Sequence, residues 1–361
     1  MKTRLHKTGL LVLFFAMSHL YGQDLHFSQY NENPSLINPA LTGASSVFRA
    51  SAVYKDQWRS ATMPFKTFGV SVESKFRPSN WTKVEGQSMR FTKNSFSRMA
   101  GGLSCYNDKA GDGNMSSTRL NLSLSTFVKV SKYSNLSLGL QGSFVQRRID
   151  FSKLVFSNQY TGSGYDASLM SGENTASQSF NYFTFSAGVN WSYNAKENIL
   201  VANEQTKANL GMAIYNINQP KQFYLQDRNS KLAVKAVFHG DLLYTFRGTN
   251  IGVAPSYVLQ FQGKNSELIA GTFLKYYIKE DSKYTGIILR SSINFGAFYR
   301  YGDAVILCVN FDKRQKYSIG FSYDVNLSGF SKGTYLRGGP EFTLRFNTAN
   351  AYLYQKMPKP D

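Results

Sequence analysis

Residues 118–130 read Thr118-Arg119-Leu120-Asn121-Leu122-Ser123-Leu124-Ser125-Thr126-Phe127-Val128-Lys129-Val130. Successive side chains of an extended chain point to opposite faces, so this stretch sorts itself into two sets. Leu120, Leu122, Leu124, Thr126, Val128 and Val130 form a face suited to an apolar medium. Arg119, Asn121, Ser123, Ser125, Phe127 and Lys129 form a mostly polar one. The same rhythm recurs at Phe183, Phe185, Ala187, Val189, Trp191 and Tyr193, interleaved with Thr184, Ser186, Gly188, Asn190 and Ser192. It returns over 268–278, 287–295, 305–311 and 317–325.

Collecting every such segment predicts about fourteen strands of a length suited to tilted membrane-spanning strands. They are 48–58, 67–77, 98–106, 118–130, 136–147, 181–193, 208–215, 233–246, 249–261, 267–278, 285–295, 303–311, 317–325 and 340–347. If the first strand runs outward, the connections 131–135, 247–248, 279–284 and 312–316 fall on the periplasmic side and are short, as in bacterial barrels. The long stretches 148–180, 216–232 and 326–339 then lie outside. A basic insertion, 78–97, breaks this parity on the periplasmic side. Arg337, Gly339, Phe342, Leu344 and Phe346 resemble the insertion signal that closes outer-membrane barrels, here followed by a tail.

Composition agrees. Aromatic residues make up 15% of the chain, yet its mean hydropathy is negative. Beyond the first 22 residues no apolar run reaches the roughly 18 residues of a transmembrane helix. A barrel reconciles these facts because only alternate residues of each strand meet lipid. The formal net charge is +19, but the basic residues are dispersed singly rather than gathered in a stripe. Outer-membrane lipid is therefore the expected partner and nucleic acid is not. Cys105 and Cys308 both sit in apolar strand patterns and read as ordinary strand residues rather than a disulfide.

The chain begins with Lys2, Arg4 and Lys7, continues with an apolar run from Gly9 to Met17, and reaches Ser18 to Gly22 before Gln23, which is the order of a cleaved export signal. No Cys follows the expected cut, so a lipoprotein anchor is not expected. The expected organisation is a signal over 1–22, a plug segment over 23–47, a barrel over 48–347 and a tail over 348–361. Both mature ends are expected in the periplasm. The plug segment is polar and turn-rich, with Asn33-Pro34 and Asn38-Pro39, because proline pushes its predecessor out of helical geometry. Phe27, Tyr30, Leu36, Ile37 and Leu41 make it too apolar for a solvated tail.

Phe27-Ser28-Gln29-Tyr30, then Asn33-Pro34, then Asn38-Pro39-Ala40-Leu41-Thr42-Gly43, resembles the opening of the PorP/SprF family of type IX secretion outer-membrane proteins from Bacteroidetes. Tyr54, Gln57, Trp58 and Pro64 to Thr67 are similar to that family's first hairpin. Asn107 to Gly111, Ile149 to Phe151, Phe298-Tyr299-Arg300, Gly320 and Tyr323-Asp324 extend the match over nearly the whole mature chain, with 78–97 departing from it. The resemblance implies an all-β, fatty-acid-transporter-like barrel with an Asn-Pro-Ala segment in its lumen. It also implies a part in gliding and in exporting or anchoring a surface adhesin with a type B C-terminal domain, beside other type IX secretion components. The insertion keeps any one member's partner from being carried over.

The lumen candidates are thus Phe27, Gln29, Tyr30, Asn33, Pro34, Asn38, Pro39, Tyr54, Gln57 and Trp58. No catalytic, cofactor or metal residues are expected. Past the signal only His26 and His239 remain, too far apart in sequence to suggest a metal cluster and without company for acid–base chemistry, so each reads as structural. The glycines at 111 and 113 open no helix and read as a turn rather than a phosphate cradle. The rival to the secretion reading is a channel for a hydrophobic or small solute. Arginine at Leu122 is expected to destabilise the barrel, and arginine at Ser123, facing a polar lumen, to be milder.

Overall fold

The computed structural model describes residues 27–59, 64–76, 99–111, 113–131, 133–150, 154–166, 168–172, 179–195, 206–222, 231–279, 291–328 and 337–348. Fourteen strands close into one antiparallel barrel in which each pairs with its sequence neighbours. They are β1 (Phe48–Gln57), β2 (Phe65–Phe76), β3 (Met99–Ala110), β4 (Met115–Lys129), β5 (Ser134–Arg148), β6 (Ser179–Ala195) and β7 (Thr206–Tyr215). The ring continues with β8 (Lys235–Thr245), β9 (Ile251–Gln262), β10 (Asn265–Lys279), β11 (Ser291–Arg300), β12 (Ala304–Lys313), β13 (Tyr317–Asn326) and β14 (Arg337–Asn347). The seam is the β1–β14 pair, in register from Arg49↔Asn347 to Lys55↔Glu341. Closure leaves no strand edge unpaired in the bilayer, where a bare N–H or C=O costs several kcal/mol.

The alternation sorts the side chains as the sequence does. Leu120, Leu122 and Leu124 are exposed on the outside of β4, while Asn121, Ser123 and Ser125 are buried on the inside. Phe183 and Phe185 of β6, Leu307 and Val309 of β12, and Ile319 and Phe321 of β13 continue the outer apolar band. Among the described residues no helix is long and apolar enough to cross a membrane. Cys105 lies on the outward phase of β3 and Cys308 on the inward phase of β12, and both are free thiols.

Three expectations need correction. The eleventh strand ends later than the expected 295, and positions 285–290 of the expected span lie outside the described residues. It is described from Ser291 and runs on through Phe298-Tyr299-Arg300, because the two-residue period continues there with Phe298 and Arg300 turned inward. The third strand likewise extends through Asn107–Ala110, where Thr118 and Thr67 satisfy the polar side chains of Asn107 and Asp108. Short connections are also not confined to one end. Gly263-Lys264 joins β9 to β10, and 301–303 joins β11 to β12, at the end that carries the long 148–180 and 216–232 stretches. Gly263 has φ +59°, a conformation that glycine reaches without strain and that lets so short a turn close. The 78–97 insertion and residues 23–26 and 349–361, on which the placing of both chain ends depends, lie outside the described residues.

Leu122 is 60% exposed at the middle of β4. Leu122→Arg is expected to cost about 2–4 kcal/mol in a reversible bilayer-folding titration. Ser117→Arg, inward near a strand end, is expected to cost much less. Equal losses would invert the facing.

Candidate functional site

The chain before β1 folds into three short helical turns inside the barrel: Tyr30–Glu32, α1 (Pro34–Ile37) and Pro39–Leu41. Each proline stands at a first helical position, where its missing N–H is not needed. Asn38 caps the third turn, its Oδ1 accepting from the Ala40 N–H at 2.9 Å. The two Asn-Pro steps thus set both turns, as the sequence suggests.

The segment crosses from wall to wall. Ser28 and Gln29 donate their backbone N–H groups to the two carboxylate oxygens of Glu341, at 2.7 and 2.9 Å. Ser28 Oγ donates to Asp324 at 2.8 Å and accepts from Lys55 Nζ at 2.9 Å. Lys55 lies 3.2 Å from Asp324 and 3.9 Å from Glu341, and Arg300 binds Asp324 at 3.3 Å and Asp303 at 2.9 Å. Four charged side chains from β1, β11, β13 and β14 therefore meet around one serine. Further along, Glu32 accepts a forked pair of bonds from Arg345 at 2.9 and 2.8 Å, while Arg345 also reaches Asp312 at 2.8 Å. At the other end of the segment the Gly43 N–H donates to Glu73 at 2.9 Å.

Between these anchors the contacts are close and mixed. Tyr30 donates to Ser256 at 2.8 Å, and its ring packs edge-on to Phe298 within an apolar patch that includes Val237, Val258, Ile269 and Ile306. Asn38 Nδ2 donates to the carbonyls of Val189 at 2.9 Å and Met212 at 3.2 Å, and stands 3.0 Å from His239 Nε2. Such approach to strand backbone requires a wall without side chains. Gly139, Gly188 and Gly211 supply it on adjacent strands, with Gly139 and Gly188 directly paired. A methyl on Gly188 would collide with Asn38 Oδ1, one on Gly139 with the backbone of Pro39 and Ala40, and one on Gly211 with His239. Gly102 makes room in the same way for Thr42.

Of the residues expected in the lumen, Phe27, Gln29, Tyr30, Asn33, Asn38 and Pro39 are buried and Pro34 is half-buried. Gln57 is buried at the end of β1, and Trp58 packs edge-on to Phe65 at 4.9 Å. Tyr54 does not join them. It is 38% exposed on the outward phase of β1 opposite Phe68, because the inward positions fall on Val53 and Lys55. Ser123 also differs from expectation, since it is 4% exposed and accepts from Thr42 Oγ1 at 3.0 Å rather than facing water. Arginine there would have to displace the segment. His239 is buried on the inward phase of β8 beside Asn38, and His26 lies outside the described residues. Among the described residues no group of three His, Cys, Asp or Glu side chains stands together as a metal site.

Sequence reading passed over Lys55, Glu341, Glu32, Arg345 and the three glycines. One signal was available for Glu341 and Arg345: each lies on the inward phase of β14 between apolar outward neighbours, where an ion must find a partner inside.

An apolar outer band around a closed antiparallel sheet with a charged inner wall defines a transmembrane β-barrel of the outer-membrane type. The chain belongs to the family described as type IX secretion system membrane protein PorP/SprF, whose model matches residues 19–346. It is therefore an outer-membrane component of type IX secretion. No curated protein matches it. Among solved structures it is similar to the Ralstonia pickettii toluene transporter TbuX, at 10% identity and TM-score 0.45 over 87% of this chain and 92% of that one. It is also similar to a Pseudomonas aeruginosa FadL homologue, at 9% identity and TM-score 0.41 over 87% and 93%. The Pseudomonas putida toluene transporter TodX matches at 10% identity and TM-score 0.40 over 91% and 93%.

Two outcomes follow from the wall contacts. Gly188→Val is expected to expel Asn38 and raise deuterium uptake across 27–46, with the barrel still migrating as a folded species on an unheated gel. Unchanged uptake would show that the glycine shelf does not hold the segment. Lys55→Met leaves the buried Glu341 without its cation and Asp324 with Arg300 alone, and is expected to cost about 3–5 kcal/mol in a denaturant titration. Adding Glu341→Gln should recover part of that loss, and strictly additive losses would argue against the coupling.

Proposed function

We propose that this barrel helps to export or anchor a secreted, adhesin-like surface protein and has no catalytic role. In this reading the segment over 23–47 is a fixed plug, with Phe27, Gln29, Tyr30, Asn33, Pro34, Asn38 and Pro39 closing the lumen and Gln57 and Trp58 bordering it. The partner then docks on the outer loops. The observation that carries the reading is the wall-to-wall bonding of residues 27–43, which supports a lumen that is filled rather than open. Loop chemistry supports it. Within 148–180 a short turn, Ser157–Gln159, and a bridge between Tyr160 and Tyr165 fix a surface that exposes Val155, Tyr160 and Met170. Tyrosine and polar side chains of this kind suit adaptable protein contacts.

The family suggests the remaining detail: a partner with a type B C-terminal domain, other type IX secretion components, a link to gliding, and export behind a cleaved signal in a Bacteroidetes cell. The second reading, a channel for a hydrophobic or small solute, is favoured by the apolar patch on the inner wall, although Tyr30 and Ile37 occupy it.

Affinity purification from native membranes, with 148–180 and 216–232 shortened singly and together, tests the proposal. The surface protein is expected to co-purify with the intact barrel and to be lost when the loops are cut back while the barrel stays in the membrane. Retention after both deletions would move docking elsewhere. Single-channel recording is expected to show no conductance until residues 27–46 are removed, and solute flux through the intact barrel would favour the channel.

A further inference from the structure

Register gathers on the outside of the barrel what the sequence disperses. At the end that carries the 148–180 stretch, Lys66 of β2 pairs directly with Lys109 of β3, Lys109 with Ser116 of β4, and Ser116 with Arg148 of β5. All three bases are exposed and stand on the outward phase of their strands. Among the described residues none of the three has an ion pair or a hydrogen bond. Asp56, the neighbour of Lys66 on β1, is buried and bonded to Arg59 at 2.6 Å. Near the same ends of β11 and β13 the outward positions are aromatic instead, Tyr299 and Tyr323.

Toward the middle of the bilayer this outer wall changes chemistry in steps of two residues, each about 7 Å along the strand. The row below the bases is Asn107, Thr118, Gln146 and Asn181 on β3 to β6, with Asn107 donating to Thr118 at 2.8 Å. The next row is Cys105, Leu120, Phe144 and Phe183. From the rim inward the wall thus offers cations, then amides and a hydroxyl, then an apolar surface. The Lys66–Lys109 pair is itself unfavourable, because like charges directly opposite on neighbouring strands, with Cβ atoms about 4.5–5.5 Å apart, repel. An anion seated between them removes that repulsion.

We propose that this wall binds a phosphorylated glycolipid of the outer leaflet, with its phosphate monoester on Lys66, Lys109 and Arg148. A phosphate monoester carries nearly two negative charges and three acceptor oxygens, which suits two point-charge ammonium groups and one guanidinium fork. Beneath it the exposed amides of Gln146 and Asn181 can donate to and accept from sugar hydroxyls. The acyl chains then lie along Leu120, Phe144 and Phe183. A phosphodiester lipid brings a single charge and no sugar layer for the amide row to bond, so it fits this wall less well. The proposal rests on the reading that 148–180 lies outside. It is independent of which protein docks there.

The test is native mass spectrometry of the full barrel, delipidated in detergent and titrated with monophosphoryl lipid A, its dephosphorylated form, and phosphatidylglycerol. One molecule of the monophosphoryl glycolipid is expected to stay bound, about tenfold or more tightly than either other lipid. The double variant Lys66→Gln/Lys109→Gln and the single Arg148→Gln are each expected to weaken it about tenfold. Lys313→Gln, exposed and outward at the opposite end of the barrel, is expected to leave it unchanged. Should a variant fail to fold, the comparison among the three lipids decides. An epitope inserted after Gly162 and detected on intact cells reports sidedness separately. No surface label would overturn both the outward reading of 148–180 and the outer-leaflet source. Surface label with equal binding of the three lipids, with variants that bind like the original chain, or with no bound glycolipid would overturn this site alone.

Discussion

Hydrocarbon offers a polypeptide no hydrogen-bond partner, and the rest of this structure depends on that constraint. Every backbone group in the bilayer must be paired by a neighbouring strand, so the sheet has to close on itself. Once closed, the two-residue period of a strand assigns half of its side chains to lipid and half to the inside. The outer half of this chain is Leu, Val, Ile and aromatic, and the inner half carries Ser, Asn, Gln and charges. Those inner charges then face a second constraint, because the lumen is too crowded to hydrate them fully.

The segment before β1 answers the second constraint. Its backbone N–H groups are spent on Glu341 and Glu73, its serine hydroxyl sits between Lys55 and Asp324, and its own glutamate neutralises Arg345. A buried ion pair gains little net stability over an apolar pair, since desolvation offsets most of the attraction. What these pairs provide is position: an apolar segment could slide along an apolar wall, whereas one bonded to fixed charges at both ends has one register. The glycine shelf works to the same end by shape, since only the small Asn-Pro-Ala turn can lie against bare strand backbone.

Much of this was legible from sequence, for definable reasons. A strand facing lipid on one side has a rigid period, so Leu120 to Leu124 and Phe183 to Tyr193 declared both their conformation and their facing. Strand ends were less legible, because the period fades where the chain leaves the apolar band. The run Phe298-Tyr299-Arg300 stands out in the sequence as a motif, although it is the end of β11. The lumen was legible only for residues near in sequence. Tyr54 was grouped with Gln57 by proximity, although one step of the period separates their faces. The Ser28–Glu341 contact spans 313 positions, a pairing that no local pattern encodes. The glycines at 139, 188 and 211 were invisible singly, since their meaning arises only when three adjacent strands bring them together.

The seam adds a consequence for how the molecule is made. Lys55 and Glu341 face each other across the β1–β14 junction, the last pair that can form as the sheet rolls up, and Ser28 and Gln29 are bonded to that same glutamate. Zipping the ring shut and seating the amino-terminal stretch are therefore one thermodynamic event, each completing the other's electrostatics. The stretch behaves like a mandrel around which the sheet is wound. A partner able to pry it from the wall would at the same moment strip two hydrogen bonds from the glutamate that holds that junction.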